Sequence, residues 1–463
     1  MNCANRFGLK ASIFLLVTAY ALCVGILVQK VIVPYMGGEN GLLPVLDTVT
    51  FHEMAIEMSD RMDSEGWSAW EWNPGWSANQ PVGIMAAVYY FVGPDPIYLL
   101  PINALFHGLS AVVLLALFQV LGWGARASVA GILPFVFFPS TLTWVSQFHK
   151  DGLYCLGLFS MFLGCAKILS AASWRSRIGG IVWIVLGAFW AGLMRGYGVT
   201  VFAIAAFLVG AFLIGVSFLS ARKRTLRECA NSLVFILGIL AILPFAGTKG
   251  GNVSSGSNDA DEVTESSETV VVASVEEEPA PVTIAEVERP SYLPPETPWQ
   301  ESSWLPGPVD RNVHRLVHNR TVFFWLFPDS GTFVDKDQEF RRAEDVLFYL
   351  PRALVIGLFS PFPDIWLGDG QTETGGAQRR VAAVETVIAY VLLAGCLYGL
   401  IRWPSREKFF VVLVSILLIV ALVYPVPAVG SLYRLRFGAF SLLLGMGAIS
   451  LFQAFTLWRL KRQ

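Results

Sequence analysis

Ten stretches of this chain are apolar and long enough, or nearly so, to cross a lipid bilayer, and that constrains its fold more than any other feature. A helix needs about 20 residues to span the hydrocarbon, and inside it every backbone amide and carbonyl must be satisfied without water. The stretches lie at about 11–33, 97–121, 127–146, 152–172, 179–195, 197–219, 231–247, 381–401, 409–428 and 437–457. Two others, 81–93 and 346–360, are too short or interrupted and read as re-entrant or interface-lying helices. The expectation is an all-α polytopic membrane protein of about ten transmembrane helices with amphipathic helices on its outer face. Composition agrees, with 54% hydrophobic and 15% charged residues, where soluble domains carry about 25% charged.

Orientation follows from the short loops. With the N-terminus inside, the inner connections carry Arg126, then Arg175 and Arg177, then Arg222, Lys223, Arg224 and Arg227, then Arg402, Arg406 and Lys408. The C-terminal tail adds Arg459, Lys461 and Arg462. Cytoplasmic loops are enriched in such residues, so both termini are expected in the cytoplasm. The first span, preceded by Arg6 and Lys10 without a small-residue cleavage pattern after it, reads as a retained anchor. The six cysteines form no CxxC pair and lie in or beside apolar stretches, so they give neither a zinc signature nor a disulfide framework.

Four regions result: a membrane module at 1–247 with an outer loop at 34–96, an acidic segment at 248–303, an outer loop and juxtamembrane helix at 304–380, and a second membrane module at 381–463. The stretch 251–300 holds 11 acidic residues and one Arg, while the whole chain carries −2. Rich also in Ser, Thr, Val and Pro, this segment is expected to be disordered. Scattered outward cations and an acidic loop make nucleic acid a poor partner.

Candidate chemistry gathers at the expected outer boundary. Asp47 heads an amphipathic stretch, 48–63, where Phe51, Met54, Ala55, Met58 and Met62 recur at helical spacing. Asp47 either caps this helix or, with His52 and Glu53, serves as a general base or divalent-cation ligand. Trp67, Trp70, Trp72 and Trp76 mark an interfacial belt that would also suit the face of a sugar. His149, Lys150 and Asp151 are adjacent at the start of a span. They form either a solvated, capped helix start or a pocket for a lipid phosphate. Arg195 lies in a turn between Gly196 and the preceding span and either snorkels to the interface or contributes to the site. Tyr433, Arg434 and Arg436 sit at the outer end of the last span, against the positive-inside trend, where a pyrophosphate or phosphate would explain two guanidinium groups. Glu385 lies one turn inside a span. Intramembrane carboxylates are functional or paired, and Arg352 or Arg380 is its expected partner, in a site or a structural pair.

Taken in order, these features resemble the GT-C superfamily of membrane glycosyltransferases, in the group of dolichyl-phosphate-mannose-protein mannosyltransferase-like and aminoarabinose-transferase-like proteins. The resemblance rests on Asp47 opening the first outer loop, Pro81-Val82-Gly83, the run from Gly93 to Asn103 leading into a span, FFPSTLTWVSQFHKDG, and Tyr433-Arg434-Leu435-Arg436 before the last span. It covers about 47–195 and 424–457. It implies a GT-C-like helix arrangement in a bacterial inner membrane and a polyprenyl-phosphate-linked sugar as donor, with Asp47 as base or metal-associated carboxylate. A divalent cation, Mg or Mn, is an optional cofactor, and the acceptor is an envelope glycan or glycolipid. Two alternatives stay open: a non-catalytic component of a polysaccharide assembly system, with the acidic loop docking assembly proteins, and a polysaccharide polymerase or ligase. No Walker A loop, dinucleotide fingerprint, HExxH or GxSxG occurs.

Overall fold

The computed structural model describes residues 3–43, 47–74, 80–219, 226–246, 295–328, 330–368 and 375–463. Regular structure there is helical, apart from one isolated antiparallel bridge between Phe333 and Ala428. Among the described residues, seven helices are long and apolar enough to cross a membrane: Gly8–Tyr35, Pro96–Val120, Lys150–Leu169, Trp174–Val216, Leu226–Phe245, Arg379–Arg402 and Phe437–Leu460. An eighth candidate is the bent pair Ala125–Phe137 and Pro139–Ser146, inclined at 58°. The bend falls where Phe138 is extended and Pro139 has no amide to continue the ladder. The chain is a multi-pass helical membrane protein.

Trp174–Val216 is not one straight rod. Arg195 has non-helical dihedrals, φ −150° and ψ 77°, and the two halves run in opposite directions along Lys150–Leu169. In the first half, Gly180 and Ile184 lie beside Gly164, and Gly187 and Ala191 beside Gly157. In the second half, Gly198 lies beside Tyr154 and Phe202 beside Phe162. The close approach needs glycine: a Cβ on Gly157 would stand 2.5 Å from the Ala191 amide nitrogen. Without a hydrophobic drive between helices in lipid, small residues that let backbones meet hold such pairs together.

The amphipathic helix predicted after the first span forms as Asp47–Glu65. Phe51, Ala55, Met58 and Met62 are buried against Val82, Met85, Ala86 and Tyr89 of Gln80–Val92, which is too short to span. Trp70 donates its indole N–H to the Gly83 carbonyl at 2.9 Å. Trp76 and the acidic stretch through residue 294 fall outside the described residues.

Residues 295–303, within the segment expected to be disordered, lie against the helix Gly307–Leu326. Trp299 stacks on His314 at 5.2 Å, and its indole donates to Asp310, which also accepts from the Ser302 amide. The apolar stretch 346–360 contains Leu350–Phe359, ten residues long. It packs along Arg406–Val423, with Gly357 against Ile419 and Val423, and ends level with Tyr390 of a spanning helix. Expected as re-entrant or interface-lying, this helix is short and buried on one side.

Candidate functional site

Where the helix Asp47–Glu65 meets the bundle, four separate elements bring five charged groups together. The placement starts from buried amides. Asn103, in the second span, donates to the carbonyls of Trp144, Val145 and Gln147 at 2.9, 3.0 and 2.6 Å. Gln29, in the first, donates to the Ser146 carbonyl at 2.8 Å. Gln147 donates to the Gly41 carbonyl at 3.0 Å and accepts from the Leu43 amide at 3.3 Å. The last turn of Pro139–Ser146 would otherwise leave carbonyls unsatisfied. Its anchoring fixes where His149, Lys150 and Asp151 stand.

Asp151 is the hub. Arg195 donates to its Oδ1 at 2.6 Å, and Arg434 Nε to its Oδ2 at 2.9 Å. The Nη2 of Arg434 reaches Asp47 Oδ2 at 3.1 Å. Asp151 and Arg195 are both almost wholly buried, whereas the Asp47 side chain is 56% exposed. The guanidinium of Arg195 also lies 5.3 Å from the Tyr154 ring centre. Lys150 stands 5.1 Å over the Phe51 ring. His149 is buried, yet neither ring nitrogen has a hydrogen-bond partner among the described residues. Burial first, and then the Arg434 charge, push its pKa well down, so it is neutral at pH 7. Two carboxylates, three cations and a neutral imidazole leave a net charge of one positive.

Beneath this cluster a cavity of about 20 Å³ is lined by Asn103, His107, Ser110, Thr141, Asp151 and Phe437, among others. That is room for about one water molecule. His107 stacks on Phe135 at 4.6 Å, and its Nε2 and the Ser110 hydroxyl have no protein partner among the described residues.

Other predicted residues lie elsewhere. His52 faces away from the cluster and shares a hydrogen bond of 2.8 Å with the Tyr89 hydroxyl; burial lowers its pKa. Glu53 is exposed. Of Asp47, His52 and Glu53, Asp47 alone joins the ion cluster.

Glu385 does not pair with Arg352 or Arg380. It accepts from the Ser140 amide at 2.5 Å and from the Tyr433 hydroxyl, so it caps the start of Pro139–Ser146 beyond the bend. Arg380 is exposed. Arg352 instead binds Asp335 through two bonds of 2.9 Å, and Tyr349 donates to the same carboxylate at 2.8 Å. The Arg352 guanidinium holds the Asp335 carboxyl below the usual carboxylate range.

Arg436, expected beside Arg434 as a phosphate ligand, is 1% exposed and turned the other way. Its guanidinium donates to the Gly357 and Ser360 carbonyls, with longer contacts to the Ser360 hydroxyl at 3.4 Å and the Ile356 carbonyl at 3.5 Å. It lies 4.5 Å from the Phe440 ring centre and 5.3 Å from that of Tyr433. These carbonyls end the short helix Leu350–Phe359, so Arg436 satisfies a helix terminus that water does not reach.

Among the described residues no three His, Cys, Asp or Glu side chains converge, and the Arg434 guanidinium occupies the space between Asp47 and Asp151. Comparison with protein-family models, with curated proteins and with solved structures finds no match to this chain.

Proposed function

We propose that this chain is an integral-membrane glycosyltransferase that moves a sugar from a polyprenyl-phosphate-linked donor to an envelope glycan or glycolipid on the outer face of the cytoplasmic membrane. The ion cluster of Asp47, Asp151, Arg195 and Arg434 carries this reading. It couples an exposed carboxylate, through the partly buried Arg434, to the buried Asp151–Arg195 pair at the end of a lipid-embedded bundle. Asp47 would take the proton of the acceptor hydroxyl. The hydroxyl oxygen would bond to the anomeric carbon as the carbon–oxygen bond to phosphate breaks. The polyprenyl phosphate leaves with that electron pair, its charge met by Arg434, Lys150 and Arg195. Arg434 stays anchored through Nε on Asp151, so its Nη edge can exchange Asp47 for a phosphate oxygen. The unpartnered His149 is available as a neutral donor to the same group.

In this reading there are ten spans with both termini in the cytoplasm. The break at Arg195 divides Trp174–Val216 into two, the bent pair contributes one, and Arg406–Val423 is another whose first turn is charged. Arg126, Arg175, Arg177 and Arg402 then lie at the end away from the cluster, in keeping with the positive-inside rule.

Proteoliposomes given a polyprenyl-phosphate sugar pool and envelope acceptors test the reading. Asp47→Asn is expected to lower turnover by about 10²–10⁴, the usual contribution of a general base, with the thermal unfolding midpoint retained. Wild-type turnover in the folded variant would remove Asp47 from the mechanism. No transfer by the wild-type protein from any such donor would favour the non-catalytic assembly component.

A further inference from the structure

At the end of the bundle opposite the ion cluster, a groove of about 520 Å³ opens beside the last helix. Its walls are the turn from Gly124 to Ala127, Trp403, and residues Phe452, Gln453, Thr456 and Leu457. The volume falls within the range of small-ligand sites, about 300–1,000 Å³. The two sides of the groove differ in chemistry. Toward the helix ends, Arg126 lines it, Arg402 stacks 5.8 Å from the Trp403 ring centre, and Arg459, Lys461 and Arg462 close the last helix. Lys408 ties the floor together, donating to the Trp403 carbonyl at 2.9 Å and lying 4.6 Å over the Trp123 ring. Glu407 is the carboxylate nearest in sequence to this group. Toward the bundle middle, the wall is apolar and open: Phe452 is 38% and Leu457 45% exposed.

A cationic rim above an apolar wall, at the depth where a spanning helix leaves the hydrocarbon, matches a molecule that is anionic at one end and aliphatic at the other. We propose that this groove is a binding site for an anionic phospholipid. Its phosphate meets Arg126 and the basic helix ends, and an acyl chain runs along Phe452 and Leu457. Basic pockets between spanning helices bind such headgroups because charge attraction adds to chain burial. The proposal needs the chain to be embedded in a membrane and nothing of the transferase chemistry, so the two stand or fall separately.

The full-length protein, purified in detergent and incubated with equimolar phosphatidylglycerol and phosphatidylcholine of identical chains, is read by native mass spectrometry for retained lipid. Wild-type protein is expected to retain phosphatidylglycerol preferentially. Arg126→Gln should cut that retention about fivefold, the equivalent of ~1 kcal/mol for one basic residue at an anionic surface. Thr456→Trp, which fills the groove without changing charge, should do the same. Arg175→Gln, at an exposed arginine in the first turn of Trp174–Val216, should leave it unchanged. Three results would each overturn the proposal: equal retention of the two lipids by wild-type protein, wild-type retention in Arg126→Gln or Thr456→Trp, or an equal loss in Arg175→Gln. Displacement by millimolar glycerol phosphate would show an anion site without a lipid chain, and would overturn it too.

Discussion

Replacing Arg436 with Met separates two roles that this residue can hold. In the structure the guanidinium serves two carbonyls at close range, Gly357 and Ser360, and two more acceptors at 3.4 and 3.5 Å. Met is flexible and apolar, its chain ends at about the position of Nε, and it carries no donor. The two close carbonyls then lose their partner where no water reaches them, at about 1–3 kcal/mol each. Loss of the contacts to the Phe440 and Tyr433 rings adds about 0.5–2 kcal/mol. The longer contacts are weak enough to leave out. Against this, a buried charge no longer needs solvating, which returns part of the loss. A net destabilisation of about 3 kcal/mol is the expected outcome. The assay is thermal unfolding of purified protein followed by the loss of its monodisperse size-exclusion peak, with donor-dependent turnover measured on the same preparation. A lowered midpoint is expected, together with turnover that falls only in proportion to folded protein. Arg436→Lys keeps one donor and should recover part of the midpoint. An unchanged midpoint with abolished turnover would refute the reasoning and return Arg436 to the phosphate site.

Glu385→Gln keeps one acceptor for the Ser140 amide but weakens the bond from Tyr433, so a midpoint lowered by the equivalent of about 1–2 kcal/mol is expected; an unaffected midpoint would mean that the bend does not depend on this cap. Gly447→Ala places a Cβ 1.8 Å from the Leu392 carbonyl oxygen, and the helices Arg379–Arg402 and Phe437–Leu460 must separate; yield of folded protein should drop sharply, and a normally folded variant would contradict the packing. Asp335 has a carboxyl pKa depressed by Arg352, so its stabilisation is present above the ordinary carboxylate range and is lost as pH falls through the folded value. Wild-type protein and Asp335→Asn should therefore differ in protease resistance of the segment around Arg352 at pH 7 and converge as pH falls through the depressed folded value; a gap that persists once the carboxyl is protonated would show that the ion pair is not its source.

Much of the architecture was readable from hydropathy alone, because a bilayer forces each apolar run of sufficient length into a helix with its own backbone satisfied. The two amphipathic helices of the first loop, the short helix near 350 and the turn at Arg195 follow from length and periodicity. The residues of the ion cluster were also readable one at a time, as charges standing where hydrocarbon ends. Their partners were not. Asp151 read as a helix start, and its role as hub depends on Arg195 and Arg434 arriving from different spans. Adjacent charges at a span boundary were the available signal. Arg352 and Glu385 looked complementary in sequence, yet Asp335 and the Ser140 amide are nearer in space, and only the packing of Leu350–Phe359 decides that. Arg436 lies two residues from Arg434 at the start of a helix. The turn of the backbone between them sends one guanidinium to the cluster and the other to a neighbouring helix end.

The cluster around Asp151 also sets an order of events during synthesis. Arg195 follows Asp151 by 44 residues, so these two can meet once the spans on either side of the break have entered the membrane. Arg434 lies 283 residues beyond Asp151 and 387 beyond Asp47, and it is made almost at the end. Until then Asp47 waits without its partner, and one edge of Asp151 lacks its second cation. A chain cut short before the last span therefore leaves Asp47 without its guanidinium and Asp151 held by Arg195 alone.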